Sequence, residues 1–225
     1  SQSAFATDVG FSEMRENYIK ERTFWNEGGP DVTKIVNDYI SGPHGEIPVR
    51  YYYPIENDNM PAIIYIHGGG FVVGSLDTHD RIMRIIANKT KAVVVGVDYK
   101  LSPEAKFPVA LEECVAVAEY IHENGSNHSI DGQKIVFAGD SGGANLSFAA
   151  NLYLRDEKKD NSYIKGMLLY YGAYGLKDSI SMRLLGGPWD GLTKSDLDYY
   201  YDCYIRNEDD KESKYFNCFN ADLSY

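Results

Sequence analysis

Four short runs in the middle of the chain, AIIYIH (62–67), AVVVGVDY (92–99), KIVFAGD (134–140) and GMLLYYG (166–172), are almost continuously apolar. They are β-branched and aromatic, the texture of parallel strands buried on both faces. Helical periodicity fills the intervals. RIMRIIANK places Ile82, Ile85 and Ile86 on one face, and ALEECVAVAEYIHE does the same with Leu111, Cys114, Val115, Ala118 and Ile121. ANLSFAANLYLRD is apolar nearly all round, as a buried helix is. Upstream, VTKIVNDYI and IPVRYYYP alternate around the turn-rich SGPHGE, which predicts an antiparallel hairpin. Before that, Ser12 can cap a helix through EMRENYIKERTFW with Met14, Tyr18 and Trp25 along its apolar stripe. A hairpin followed by strand–helix alternation predicts one mixed, mostly parallel sheet with helices on both faces. From about Tyr174 the alternation stops, and one helix, Ser195 to Ile205 with Thr193 as its cap, is predicted in the remainder.

Composition fits a single domain: 225 residues, 44% of them hydrophobic, suffice for one sizeable core. A formal net charge of -11 argues against a phosphate-backbone partner, so no nucleic acid is expected. No apolar run reaches membrane-spanning length, and the N-terminal stretch lacks the basic and apolar regions of an export signal, so no membrane association is expected. Cys114, Cys203 and Cys218 are odd in number and have no C-x-x-C spacing, which argues against disulfides and zinc and for a reducing, cytoplasmic setting.

Two glycine-rich turns carry the chemistry. GDSGGAN (139–145) follows a strand and precedes a helix, the context in which G-x-S-x-G lifts a serine hydroxyl above a sheet edge. Ser141 is then the candidate nucleophile, and the Gly142 N–H at the helix start can face a developing oxyanion. G-D-S-G-G also marks chymotrypsin-like proteases, and His67 and Asp98 precede Ser141 as that triad order requires. That fold, however, is a pair of β-barrels, whereas here a long apolar helix follows the serine and Ala144 replaces the usual proline. The second turn, HGGGF (67–71), also leaves a strand and exposes consecutive backbone N–H groups at Gly68, Gly69 and Gly70.

Together HGGGF, DYKLSPEAKFPVALEE and GDSGGAN resemble the hormone-sensitive-lipase-like branch of the α/β-hydrolases, and LLGGPWDGLTKSDLDYY is similar to the cap of its bacterial acetyl esterases. The resemblance implies an α/β-hydrolase fold in one domain, 1–225, with cap elements at about 1–28 and 174–215. It implies a cofactor-free serine carboxylesterase acting on short-chain acyl esters, with Ser141 as nucleophile and Gly69, Gly70 and Gly142 as oxyanion donors. His67 and Gly68 are then structural members of the loop. Asp98 is expected to be a buried anchor for the DYKLSPE loop, Asp140 to point away from the nucleophile, and Phe24, Trp25 and Trp189 to wall a small acyl pocket. Lys100 and Ser102 stand where relatives often carry Arg and Ala. In the family the triad Asp and His follow the serine, yet His44, His67, His79, His122 and His128 all precede Ser141. The implied C-terminal strands are therefore missing from this chain, which alone is expected to be inactive. The expected partners are a small acyl ester and either a second copy or the missing C-terminal portion. The alternative is a shortened, non-catalytic scaffold that binds a small molecule or a protein.

Overall fold

The computed structural model describes residues 7–175, 180–187 and 191–224. Its core is a six-stranded sheet in the order β1-β2-β4-β3-β5-β6. The hairpin strands β1 (Lys34–Gly42) and β2 (Gly45–Tyr53) pair antiparallel, and β2 joins β4 (Val93–Val97) antiparallel. From there β4, β3 (Met60–Ile66), β5 (Ile130–Asp140) and β6 (Ile164–Tyr170) are all parallel. This is the mixed sheet that the apolar runs imply.

Both faces of the central strands are buried, by alternation. Ala62, Ile64 and Ile66 of β3 and Val93, Val95 and Val97 of β4 face α3 (Val109–Asn124) and α4 (Gly142–Tyr153). Ile63, Tyr65 and Val94 face the other way, into a smaller cluster with α2 (Asp80–Thr90). The deepest side chains of α2 are Met83, Ile86 and Ala87, so its buried face is rotated slightly from the isoleucine stripe. The edge strand β6 departs from expectation. Met167 and Leu168 are 37% and 40% exposed, because only β5 flanks this strand among the described residues. Its apolar run resembles a doubly buried strand in composition but not in surroundings.

Two further helices pack against the glycine loop that follows β3. Helix α1 (Phe11–Asn26) begins one residue before the predicted Ser12 cap, with Gly10 O accepting from Met14 N. Met14 and Tyr18 are buried against Val72 and Val73 of the glycine loop. A short helix α5 (Ile180–Leu185) precedes α6 (Lys194–Tyr204), whose start is fixed by a reciprocal capping box between Thr193 and Asp196. Tyr200 and Cys203 of α6 close on the same glycine loop. No helix among the described residues is long and apolar enough to cross a membrane.

Candidate active site

Because β3 and β5 are adjacent and parallel, with Ile66 opposite Gly139, the two glycine-rich turns leave the sheet side by side. Ser141 sits at the sharpest point, with φ 52° and ψ -120°, a region that a residue with a Cβ enters only under constraint. The constraints are visible. Ser141 N–H donates to Tyr170 O of β6 at 2.9 Å, and Ser141 O accepts from the amides of Ala144 and Asn145 at 3.1 Å. The flanking glycines permit the turn: a Cβ on Gly139 would lie 2.5 Å from Gly143 O, and one on Gly143 only 2.0 Å from Ile66 O. The Ser141 side chain is half-buried and its Oγ makes no hydrogen bond with any described residue.

Opposite it, Gly69 and Gly70 take φ values of 120° and 58°. The Gly69 carbonyl is turned inward to accept from Val72 and Val73, both at 3.0 Å. The N–H groups of Gly69, Gly70 and Gly142 donate to no described acceptor. Gly70 N lies 3.5 Å from where a Gly142 Cβ would sit, so these two amides adjoin. Gly142 is also the first residue of α4, where the helix adds positive potential. The arrangement is an unengaged serine hydroxyl beside a set of unengaged backbone donors, which can stabilise negative charge on an oxygen placed between them.

Asp140 does point away. It is 3% exposed, and its carboxylate binds the two turns together: Oδ1 accepts from Tyr65 OH at 2.8 Å and from Gly68 N–H at 3.0 Å. Tyr171 OH approaches Oδ2 at 3.4 Å, and His79 Nε2 lies at the same distance without hydrogen-bond alignment. Burial alone would raise the Asp140 pKa, but the His79 imidazole, the Tyr65 hydroxyl and the Gly68 amide outweigh it and hold the carboxyl at about 2. His67 is buried within the loop, with Nδ1 2.8 Å from Gly68 O and its ring stacked on Tyr99. Burial, reinforced by the neighbouring His79, lowers its pKa to about 3.

The anchor of the 98–105 loop differs from the one read in the sequence. Asp98 is partly exposed and lies 3.8 Å from His67 Nε2, so it sides with the glycine loop. The buried acid is Glu113, 0% exposed, whose carboxylate accepts from Lys100 Nζ at 2.5 Å and Lys100 N at 2.8 Å. Glu113 falls on the α3 stripe of Ala110, Val117 and Ile121, a helical-period signal that a Glu at a core position needs a cation.

A pocket of about 420 Å³, counted with its open mouth, lies over Ser141 and Gly142. Its other walls are Phe71, Asn145, Ala173, Leu192, Leu197, Tyr200 and Tyr201. The expected wall residues Phe24 and Trp25 are not among these. They are 69% and 55% exposed and pack edge-to-face on each other at 5.2 Å, because the last turn of α1 is held through its backbone and polar groups. Trp189 lies outside the described residues.

All five histidines are engaged elsewhere. His44 pairs with Glu112 at 2.5 Å, His122 stacks on Tyr163 and His128 on Tyr51, while His67 and His79 belong to the Asp140 cluster. None hydrogen-bonds Ser141. Among the described residues, no group of three His, Cys, Asp or Glu side chains is placed to hold a metal ion.

A family model described as the alpha/beta hydrolase fold matches residues 63–225. Among solved structures, a hyperthermophilic esterase from the archaeon Pyrobaculum calidifontis is 34% identical, with a TM-score of 0.91 over 96% of this chain and 70% of that one. A thermophilic and thermostable carboxylesterase cloned from a metagenomic library is 27% identical, with a TM-score of 0.92 over 97% of this chain and 75% of that one. An ester hydrolase from the metagenome of Lake Arreo is also 27% identical, with a TM-score of 0.87 over 95% and 68%. The sheet order, the serine turn, the glycine loop and these likenesses converge: the chain belongs to the α/β-hydrolase fold family, in its hormone-sensitive-lipase-like branch, whose solved relatives here are esterases.

Proposed function

We propose that the protein hydrolyses short-chain carboxylic esters through a Ser141 acyl-enzyme. The observation that carries this reading is the meeting of an unengaged Ser141 hydroxyl and the free amides of Gly70 and Gly142 in the lining of one pocket, with the free Gly69 amide next along the chain. Ser141 Oγ attacks the ester carbonyl carbon, and the carbonyl oxygen gains negative charge between the three N–H groups. Collapse expels the alcohol and leaves the acyl group on Ser141. Water then attacks that ester and restores the hydroxyl. In the first step Oγ gives its proton to a general base, which returns it to the departing alcohol oxygen, and that base is none of the five histidines here, since none reaches Ser141. The bulky walls of Phe71, Leu197, Tyr200 and Tyr201 beside Ser141 support acetyl- to butyryl-sized acyl groups.

The test is hydrolysis of 4-nitrophenyl esters of increasing length by the 225-residue chain, by the protein of the whole reading frame, and by Ser141→Ala in each. Ser141-dependent turnover by the whole-frame protein, fastest on acetyl to butyryl, is expected. Absence of that dependence overturns the nucleophile, and faster decanoyl than acetyl turnover overturns the acyl-length reading. A folded whole-frame protein that binds such esters without turning them over would favour the binding-module reading.

A further inference from the structure

We infer that Tyr200 and Tyr204 of α6 are positioning residues for the glycine loop, holding the Gly69 and Gly70 amides in the orientation that faces Ser141. The inference rests on the esterase reading for its catalytic consequence, but not for its structural content. The two tyrosines are four residues apart, on one face of the helix, and each is 1% exposed. The Tyr200 ring lies directly on the Gly70 backbone, with Cδ1 2.6 Å from where a Cβ would be. The Tyr204 ring stacks on Phe71, centroids 4.0 Å apart and planes within 9°.

Phe71 is what makes this contact consequential. Its φ is 67°, a left-handed conformation that an aromatic residue avoids unless its surroundings impose it. Reversal of the chain at Phe71 is what returns Val72 and Val73 so that both donate to Gly69 O. If Phe71 relaxed to negative φ, the Gly69–Gly70 peptide would lose those two partners, and the Gly70 N–H in its plane, with the Gly69 N–H beside it, would be free to turn. Two contacts oppose that relaxation: Ser102 N–H donating to Phe71 O at 2.8 Å, and the stack with Tyr204. Helix α6 is itself pinned at its C-terminal end. Lys106 Nζ donates to Cys203 O at 3.0 Å and Ile205 O at 2.8 Å, and Phe107 N–H donates to Tyr204 O at 2.7 Å. Helix position, aromatic stack and loop conformation therefore form one mechanical chain ending at the oxyanion donors.

Native-state amide hydrogen exchange on the 225-residue chain tests the inference without requiring turnover. The reporters are the Val72, Val73 and Ser102 amides, with Ile64 and Val95 in the sheet as internal controls. Tyr204→Leu and Tyr200→Leu should speed exchange of the reporters by about tenfold or more relative to the controls. Tyr204→Phe, which keeps the stack, should leave them unchanged. Lys106→Met loosens α6 from outside the core without opening a cavity and should give the same selective acceleration, so an unfolded tyrosine variant does not blunt the test. Reporter exchange that stays at the parent rate in folded Tyr→Leu variants and in Lys106→Met overturns the inference, as does equal acceleration by Tyr204→Phe. In the whole-frame protein, Tyr204→Leu should lower kcat on the order of 10²-fold at nearly constant KM, with Tyr204→Phe restoring it. Selective loop exchange in a parent without Ser141-dependent turnover would leave the positioning standing and remove the esterase reading. An active parent whose loop ignores these substitutions would do the reverse.

Discussion

Three glycines surround Ser141, and alanine at each should have a different outcome. Gly142 has a negative φ, begins α4, and would place its Cβ 3.4 Å from Phe71 Cε1 and 3.5 Å from Gly70 N, ordinary van der Waals contact. Alanine there loses less backbone entropy on folding, so Gly142→Ala should stabilise the chain by about 0.5–1 kcal/mol. For a domain of this size that is a rise in Tm of roughly 1–4 °C. Its N–H is unchanged, so the free amide beside Ser141 survives. Gly143, one residue later, would drive its Cβ to 2.0 Å from Ile66 O and 2.5 Å from His67 O, both backbone atoms of the strand and loop that form the site. Neither can retreat without moving β3, and Gly143→Ala should cost about 3 kcal/mol or more by overpacking. Gly139→Ala, at 2.5 Å from Gly143 O and 2.6 Å from Ile66 O, falls between but nearer the severe case. Urea unfolding of the three variants measures the difference, expected to be roughly 3–4 kcal/mol between Gly142→Ala and Gly143→Ala. A destabilised Gly142→Ala, or a Gly143→Ala as stable as the parent, would refute the close-approach account of the turn.

Acid should destabilise the fold in two windows. The unfolded state binds a proton on His67 below about pH 6.5 while the folded state, with its pKa near 3, does not; stability should therefore fall as pH drops from 6.5 to 3, by on the order of 4 kcal/mol. Asp140 adds about 2 kcal/mol that is present above pH 4 and lost as pH falls through 2, so Asp140→Asn should flatten only the more acid limb and His67→Gln only the upper one in urea titrations. Lys100→Met leaves the fully buried Glu113 carboxylate with only the Lys100 amide and should cost about 2–3 kcal/mol, recovered in part by adding Glu113→Gln; a change below about 0.5 kcal/mol would show the pair to be incidental. The 225-residue chain alone should hydrolyse 4-nitrophenyl acetate at most about 10³ to 10⁴ over water, the share left when a serine lacks its base, and Ser141→Ala should barely change it.

The sheet and its helices were legible because strands buried on both faces must be apolar throughout, while α2 and α3 must be apolar on one side. Local chemistry fixed the two glycine turns and the Thr193 cap as well. What escaped is non-local or depends on an element's limits. Trp25 keeps the period of Met14 and Tyr18, yet α1 outruns the loop it packs on, so the same stripe ends in solvent. Met167 and Leu168 match an inner strand in composition and lie on an edge. Glu113 is legible in principle, since a carboxylate on a core stripe demands a partner, whereas the Asp98 anchor rests on the resemblance of DYKLSPE alone. Tyr200 over Gly70 spans 130 positions, and no local pattern announces it.

Every donor aimed at the pocket from the glycine loop and the α4 start belongs to the main chain. Nothing in such a device can be deleted by exchanging a functional group, because no side chain carries it. It fails only when bulk is forced into a gap, as at Gly69, where a Cβ would meet Val73 O at 2.1 Å, or when its supports let go. Base and acid residues, by contrast, are single side chains that one nucleotide change can erase. Loss of a base or acid would therefore leave the cradle for a carbonyl oxygen untouched.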